Sequence, residues 1–140
     1  MKKNILFILF LSAGSIVLAQ KNIPDTIKAA FSKKFPTASN VKWGLEEDEQ
    51  FEAKFTLNGK KFSANFFPNG NWKETEVELS QNDVPPLVLT SFKKNHKNVT
   101  IRSIEKTATS TGKNSYEFKY KEGTRNKEVQ YDEMGNILKD

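Results

Sequence analysis

The fold is decided by residues 51–66, which read FEAKFTLNGKKFSANF. Apolar side chains alternate with polar ones on both sides of Asn58-Gly59, and Asn-Gly is the strongest short signal for a two-residue β-hairpin turn. A period of two puts Phe51 and Phe55 on the same face of one strand. The stretch therefore predicts an antiparallel hairpin with one aromatic face that must be covered and one polar face in water.

Further elements flank this hairpin on both sides. The same alternation predicts strands over residues 41–45 and 72–79. Apolar residues at spacings of three and four predict an amphipathic helix between Pro24 and Pro36. A helix followed by strands with short turns predicts an α+β unit in which the helix packs on the aromatic face of the sheet.

The unit occurs twice along the chain. Residues 23–34 recur 61 residues later as residues 84–95, and residues 51–55 recur 65 residues later as residues 116–120. Two matching segments in the same order indicate an internal repeat. Gly70-Asn71 also recurs, as Gly135-Asn136, at the offset of the strands.

We therefore predict an α+β fold built as a tandem repeat of one helix packed on a four-stranded antiparallel meander sheet. The first repeat covers residues 20–80 and the second covers residues 81–140. The helix of the second repeat has the more polar stripe, so we expect it to be held less tightly. The strands of the second repeat are predicted at residues 101–106, 116–121, 125–131 and 136–139.

Residues 1–19 have the pattern of a secretory signal peptide. Lys2 and Lys3 precede an apolar segment, and the small residue Ala19 ends it in a form that a signal peptidase accepts. Polar and glycine residues interrupt the apolar segment, which is shorter than the roughly 20 residues of a membrane-spanning helix. We expect cleavage after Ala19, and a mature chain that is periplasmic or secreted and not inserted in a membrane.

Composition narrows the possible function classes. The chain has no cysteine, so its stability must come from apolar packing, for which its 11 Phe residues are the main material. The formal net charge of +5 falls to +3 when Lys2 and Lys3 are removed. The remaining excess is scattered and not clustered, which argues against a nucleic-acid partner.

A set of short motifs runs through the chain in a fixed order: Ile23-Pro24, residues 29–36 (with Ala30 as an additional residue), Val41-Lys42-Trp43, residues 51–55, Asn58-Gly59 and Gly70-Asn71-Trp72. The set resembles the PepSY-like family of exported Bacteroidetes-type proteins, also described as β-lactamase-inhibitor-like. The second repeat departs from the pattern, with His96-Lys97 in place of Phe-Pro and Ile137 in place of Trp. The resemblance implies a tandem helix-on-sheet fold of the β-lactamase-inhibitor-protein-like type and a periplasmic binding or inhibitory module, and it brings no catalytic residues.

Candidate reactive groups are few in this sequence. His96 is the only histidine and is expected near a helix C-terminus, where a positive charge is favourable. With one histidine and no cysteine, a single chain has no material for a histidine-based zinc site or for a Ser-His or Cys-His nucleophile. We predict no catalytic residues, no metal site and no cofactor, and we do not expect an enzyme.

Two groups of acidic residues are interpreted as surface charge. Residues 46–49 are four consecutive acids that lack the ligand pattern of a calcium loop, so they predict a solvated acidic hairpin or a polar rim for a basic partner. Glu74, Glu76 and Glu78 occupy outward positions of one strand, where charges discourage edge-to-edge pairing. Asp25-Thr26-Ile27 resembles a short O-glycosylation signal but lies within the predicted helix, which leaves the modification of Thr26 open.

Three aromatic residues, Trp43, Phe67 and Trp72, are the predicted partner-binding residues, because aromatic side chains dominate the hot spots of interfaces. Phe67 breaks the alternation of residues 62–66 and should point away from their face. The alternative for the two tryptophans is that they complete the core or fill the junction between the repeats. Phe67 beside Trp72 on the outer sheet face would mark a partner surface.

The leading hypothesis is a periplasmic, non-enzymatic protein-binding module, with inhibition of a protease or other envelope enzyme as its narrower form. The alternative is a periplasmic protein that binds a small ligand or a cation in a cleft between the repeats or at the acidic hairpin. The predicted partner is another periplasmic or envelope protein, and not a nucleic acid. The sequence leaves open the identity of this partner, the oligomeric state, and whether the two sheets join edge to edge.

Overall fold

The computed structural model describes residues 16–17, 23–46 and 49–138. These residues form two α-helices and eight β-strands, and the strands make one sheet in which neighbours along the chain are antiparallel neighbours in space. The helices are α1 (Asp25–Lys34) and α2 (Pro86–Asn95). The strands are β1 (Ile16–Val17), β2 (Ser39–Leu45), β3 (Phe51–Leu57), β4 (Lys60–Phe66), β5 (Trp72–Glu78), β6 (Thr100–Thr109), β7 (Asn114–Glu122) and β8 (Arg125–Asp132).

The hairpin predicted around Asn58-Gly59 is confirmed. Leu57 pairs with Lys60 across the turn, and both turn residues have positive φ, 50° at Asn58 and 76° at Gly59. A two-residue turn of this kind needs positive φ at both positions, and its twist matches that of the strands. The turn thereby fixes the whole register of β3 against β4.

Helix α1 follows from its flanking prolines and its apolar stripe. The carbonyl of Pro24 accepts the N–H groups of Ile27 and Lys28 at 3.0 and 3.2 Å, and the helix ends at Lys34. Phe35 leaves the helical region (φ −127°) because the residue before a proline avoids it. The buried stripe of α1 belongs to a core of Ile23, Ile27, Phe31, Trp43, Ala53, Phe55, Ala64 and Phe66.

Helix α2 covers the second half of the sheet in the same way. Pro85 precedes it, Val88 and Phe92 are buried, and the Phe92 ring stacks on the Phe118 ring with centroids 4.2 Å apart. Each fully buried side chain of this size stabilises the fold by about 1.5–3 kcal/mol. The second core consists of Val84, Val88, Phe92, Ile104, Tyr116, Phe118, Tyr120 and Tyr131.

The two halves of the sheet are continuous. Strand β5 pairs with β6 from Glu74↔Thr109 to Glu78↔Glu105, so the sheet does not break between the two cores. This pairing answers the question that the sequence left open, because the last strand of the first half forms hydrogen bonds with the first strand of the second.

The strand predicted at residues 136–139 is not formed within the part of the chain that the structure describes. One isolated bridge joins Tyr131 to Ile137 there, and residue 139 lies outside the described ranges. The Asp132 carboxylate accepts hydrogen bonds from the backbone N–H groups of Met134 and Asn136 at 2.9 and 2.8 Å. These bonds hold residues 132–136 as a turn, so the described part of the second half has three strands, and the tandem four-stranded description is not confirmed.

The predicted signal peptide lies largely outside the described residues. Its described part, Ile16–Val17, pairs with Gly44 and Leu45 at the edge of β2. Cleavage after Ala19 therefore stays a prediction, and it would remove β1 and leave β2 at the edge of the sheet. Among the described residues, neither helix has the length and apolar character needed to cross a bilayer.

Candidate functional site

One face of the sheet carries both helices, and the described residues place no helix on the other. We call this second surface the helix-free face. Its side chains alternate with those of the two cores along each strand, as period-two geometry requires. One row of the helix-free face crosses six strands in register, in the order Lys42, Lys54, Ser63, Glu76, Thr107 and Ser115.

Ion pairs and a hydrogen bond join the side chains of β6, β7 and β8 on the helix-free face. The Lys119 ammonium lies 3.2 Å from a carboxylate oxygen of Glu105 and 3.3 Å from one of Glu117. The Gln130 amide donates to the other oxygen of Glu117 at 3.2 Å. Glu105 and Glu117 are directly opposite each other on β6 and β7, and like charges in that position repel. Lys119 offsets this repulsion by pairing with both.

The acids of β5 are crowded on the same face. Burial raises the pKa of Glu76 above its ordinary value, and the nearby carboxylates of Glu74 and Glu105 raise it further. The Ser63 hydroxyl donates to Glu76 at 3.3 Å, which acts in the opposite direction without cancelling the increase. Glu74 accepts a hydrogen bond from the Asn65 amide at 3.4 Å. The raised pKa of Glu76 indicates that its ionised form is disfavoured at this place on the helix-free face.

A groove of about 480 Å³ lies on the helix-free face across β2 to β6. Its charged lining residues are lysines on β2 to β4 and glutamates on β5 and β6: Lys42, Lys54, Lys61, Glu76, Glu78 and Glu105. Sequence reasoning missed this groove. Part of the signal was available, because the Asn58-Gly59 turn fixes Lys54 opposite Ser63.

The three predicted partner-binding residues do not come together. Trp43 is 5% exposed, and its ring packs edge-on against the Phe31 ring at 5.3 Å, so it belongs to the first core. Trp72 pairs with Phe66, shares its helix-covered face, and lies under the Lys34 ammonium at 3.5 Å from the ring centroid. Phe67 is 37% exposed at the start of the next turn.

Trp72 lies on the helix side because β5 contains a bulge. Asn65 pairs with Glu74 whereas Phe66 pairs with Trp72, so Lys73 is an additional residue that resets the alternation. Phe67 and Trp72 are therefore not joined into one outer aromatic patch in this structure.

His96 is the C-cap residue of α2, and its imidazole packs against two aromatic rings. It stacks on Phe92 with centroids 4.9 Å apart and lies 4.8 Å from the Tyr120 ring. Burial lowers the pKa of His96; Glu122 opposes this decrease, and Lys127 adds to it. Packing therefore explains the position of His96 better than the helix-end charge expected from the sequence.

The described residues contain no group of three or more His, Asp and Glu side chains placed to hold a metal ion. The acidic hairpin of residues 46–49 is described only in part, because residues 47 and 48 lie outside the described ranges. Glu46 and Gln50 close it with a backbone hydrogen bond of 2.8 Å. Thr26 is exposed in the first turn of α1.

These features define an α+β protein whose candidate contact surface is the helix-free face of a continuous antiparallel sheet. The chain belongs to the PepSY-like family: residues 49–139 match the family model described as "Putative beta-lactamase-inhibitor-like, PepSY-like". The resemblance stated from the sequence motifs is thereby confirmed. No curated protein matches the chain.

Solved structures share the fold. A BLIP-like protein from Bacteroides fragilis has 25% identity and a TM-score of 0.74, with 83% of this chain and 83% of that chain covered. A DUF2874 family protein from Bacteroides uniformis has 18% identity and a TM-score of 0.79, with 84% and 87% covered. A Bacteroides eggerthii structure described under "putative periplasmic proteins" has 18% identity and a TM-score of 0.77, with 83% and 86% covered.

Proposed function

We propose that the protein is a periplasmic, non-enzymatic module that binds another envelope protein on its helix-free face and thereby inhibits a protease or other envelope enzyme. The observation that carries the proposal is the ordered ion network of Lys119, Glu105 and Glu117 on a face that no described helix covers. Side chains that are already held in place lose less conformational entropy when a partner binds. Family membership, the BLIP-like neighbour and the signal-peptide pattern support the same proposal.

We further propose that residues 20–80 and 81–140 are two copies of one unit. A recurring contact supports this: a β-carbon at Gly70 would lie 3.7 Å from the Thr26 carbonyl oxygen, and one at Gly135 would lie 3.1 Å from that of Leu87. Thr26 and Leu87 are related by the helix offset, and the two glycines are related by the strand offset. A turn therefore lies against the start of a helix in both halves.

Phe67 is the most exposed of the predicted contact residues, and we propose it as an outlying contact at the start of the β4–β5 turn. Trp72 would contribute indirectly, because its half-buried ring lies on the helix-covered face under the Lys34 ammonium, which can interact with the ring and with an acidic partner. Trp43 would support the surface from inside the core.

Site-specific photo-crosslinking in the cell envelope tests the binding face. A photoreactive residue at Thr107, in the middle of the helix-free face, should give an adduct with a discrete protein. The matched control is the same residue at Lys93, exposed on α2. Adducts of equal yield at both positions, or an adduct at Lys93 alone, would refute the proposed face.

A small-ligand role is the second candidate, and the groove is the observation that favours it. Its volume of about 480 Å³ lies within the range of small-molecule sites. A thermal-shift screen of periplasmic metabolites decides this case: a stabilising ligand whose effect is lost in Lys61→Ser supports it, and the absence of any such shift argues against it.

A further inference from the structure

The groove on the helix-free face has walls of opposite charge. Lys42, Lys54 and Lys61 come from β2 to β4, whereas the acids come from β5 and β6. Backbone pairing fixes this division, because each lysine and each glutamate is anchored on a strand of known position in the sheet. In the row Lys54–Ser63–Glu76, Ser63 lies between a lysine of one wall and a glutamate of the other.

Part of this charge is not neutralised inside the groove. Lys54 pairs with Glu52 at 3.1 Å, and Glu105 pairs with Lys119 at 3.2 Å. Within the part of the chain that the structure describes, Lys42, Lys61 and Glu78 form no ion pair. Each wall therefore presents a charge that a bound molecule could pair with.

The geometry points to an extended partner segment that carries an acidic and a basic residue four positions apart, because residues separated by an even number of positions share a face of an extended chain. We infer that its acidic side chain binds at Lys42 and Lys61 and its basic side chain binds at Glu76 and Glu78. Neighbouring strands are about 4.8 Å apart, so the backbones at Lys42 on β2 and Glu76 on β5 are roughly 14 Å apart. An extended chain covers that distance in about four residues, at roughly 3.3 Å per residue.

This inference rests on the proposed function, because it specifies the chemistry of the protein segment that the helix-free face would take. The opposite charges of the two walls also determine the direction in which the partner segment binds. A segment that enters with its acid and base exchanged meets like charges on both walls, and such contacts cost affinity.

Selection from a random peptide library on the immobilised chain of residues 20–140 tests the inference. Selected peptides should be enriched in acid–base pairs at the stated spacing. They should bind about tenfold more weakly to the double variant Lys61→Glu with Glu78→Lys, which exchanges two exposed charges without changing the net charge. The matched control is Lys93→Glu with Glu133→Lys, which exchanges exposed charges outside the groove and should leave binding unchanged.

Three results would overturn the inference: no enrichment of such pairs, equal binding to the groove variant, or equal losses in both variants. Circular dichroism and a melting temperature for each variant ensure that a loss of binding is not a loss of folding. If the Thr107 adduct still forms but the peptides bind the groove variant as tightly as the wild type, the inferred partner chemistry is wrong and the proposed function stands. If the adduct is also absent, both fail.

Discussion

At Gly135 the backbone has φ of +78°, and the residue lies against the start of α2. A β-carbon there would lie 3.1 Å from the Leu87 carbonyl oxygen and closer still to Ser91 Oγ. Gly112 has nearly the same φ, +80°, but beyond its chain neighbours no atom of the described residues lies within 4 Å of its β-carbon position. We expect Gly112→Ala to lower the free energy of unfolding by about 1–2 kcal/mol through backbone strain alone. Gly135→Ala should cost about 1–3 kcal/mol more, because the helix must also move.

Urea unfolding monitored by circular dichroism measures both glycine variants under the same conditions. Gly112→Ala is the matched control because it shares the strain and lacks the contact. Equal losses in the two variants would show that the turn does not press on α2 as the structure describes.

Glu76 gives a prediction about pH. Because its pKa is raised in the folded state, the folded protein binds a proton more readily than the unfolded chain does. The destabilisation by Glu76 is therefore absent below the unfolded pKa of 4.5, appears as the pH rises through the folded pKa, and is complete above it. Glu76→Gln should raise the free energy of unfolding at pH 7 by about 0.2–1 kcal/mol and have no effect near pH 3.

Chemical denaturation at a series of pH values measures the Glu76 effect. Glu133→Gln is the control, because Glu133 is exposed in a turn and its contact with the Asn114 amide can be kept by a glutamine oxygen. A Glu76→Gln variant that is less stable than the wild type at pH 7 would contradict the crowding of acids on the helix-free face.

At the scale of single elements, the sequence was informative where one local signal fixed the geometry. The Asn58-Gly59 turn set the β3–β4 register, and the prolines set the limits of α1. The faces of Trp43 and Trp72 could not be predicted, because each depends on a register that a bulge shifts. One bulge lies between Ser39 and Lys42, and the other is at Lys73. The groove could not be predicted for the same reason, because its lining residues come from five strands whose register must be known.

Helix α2 is held by aromatic contacts that its polar stripe did not predict. Phe92 is 1% exposed and packs against the rings of Phe118, Tyr120 and Tyr131, which lie far along the chain and are invisible to a helix pattern. Phe31 has a comparable set of aromatic neighbours in the first core. The two helices therefore have aromatic anchors of similar quality.

We expect Phe31→Ala and Phe92→Ala each to lower the free energy of unfolding by about 3–5 kcal/mol, because each leaves a cavity in a packed aromatic core. Leu87→Ala is the control, since that side chain is largely exposed and its loss should cost within about 0.5 kcal/mol. Denaturant titration measures all three. A Phe92→Ala loss much smaller than that of Phe31→Ala would restore the sequence-based expectation of a weaker second helix.

At the scale of the whole molecule, the β5–β6 pairing decides whether the two cores fold together. Five pairs from Glu74↔Thr109 to Glu78↔Glu105 join the halves, and each half supplies one strand of the junction. Melting one core would leave a junction strand without its packed neighbours. A small domain with such shared structure unfolds in one cooperative transition. The proposed contact face depends on this continuity, because the groove takes its lysines and most of its acids from β2 to β5 and Glu105 from β6.

The positions of the tryptophans make cooperativity directly measurable. Both tryptophans of the chain, Trp43 and Trp72, lie in the first half, so their fluorescence reports that half alone, whereas far-ultraviolet circular dichroism reports both. Phe118 is fully buried in the second core, and Phe118→Ala should cost about 3–5 kcal/mol. We expect this variant to lower the denaturation midpoint of tryptophan fluorescence and of circular dichroism by the same amount. A fluorescence midpoint that stays at the wild-type value while the dichroism splits into two steps would show two independent halves, and a groove spanning β5 and β6 would then have no rigid support.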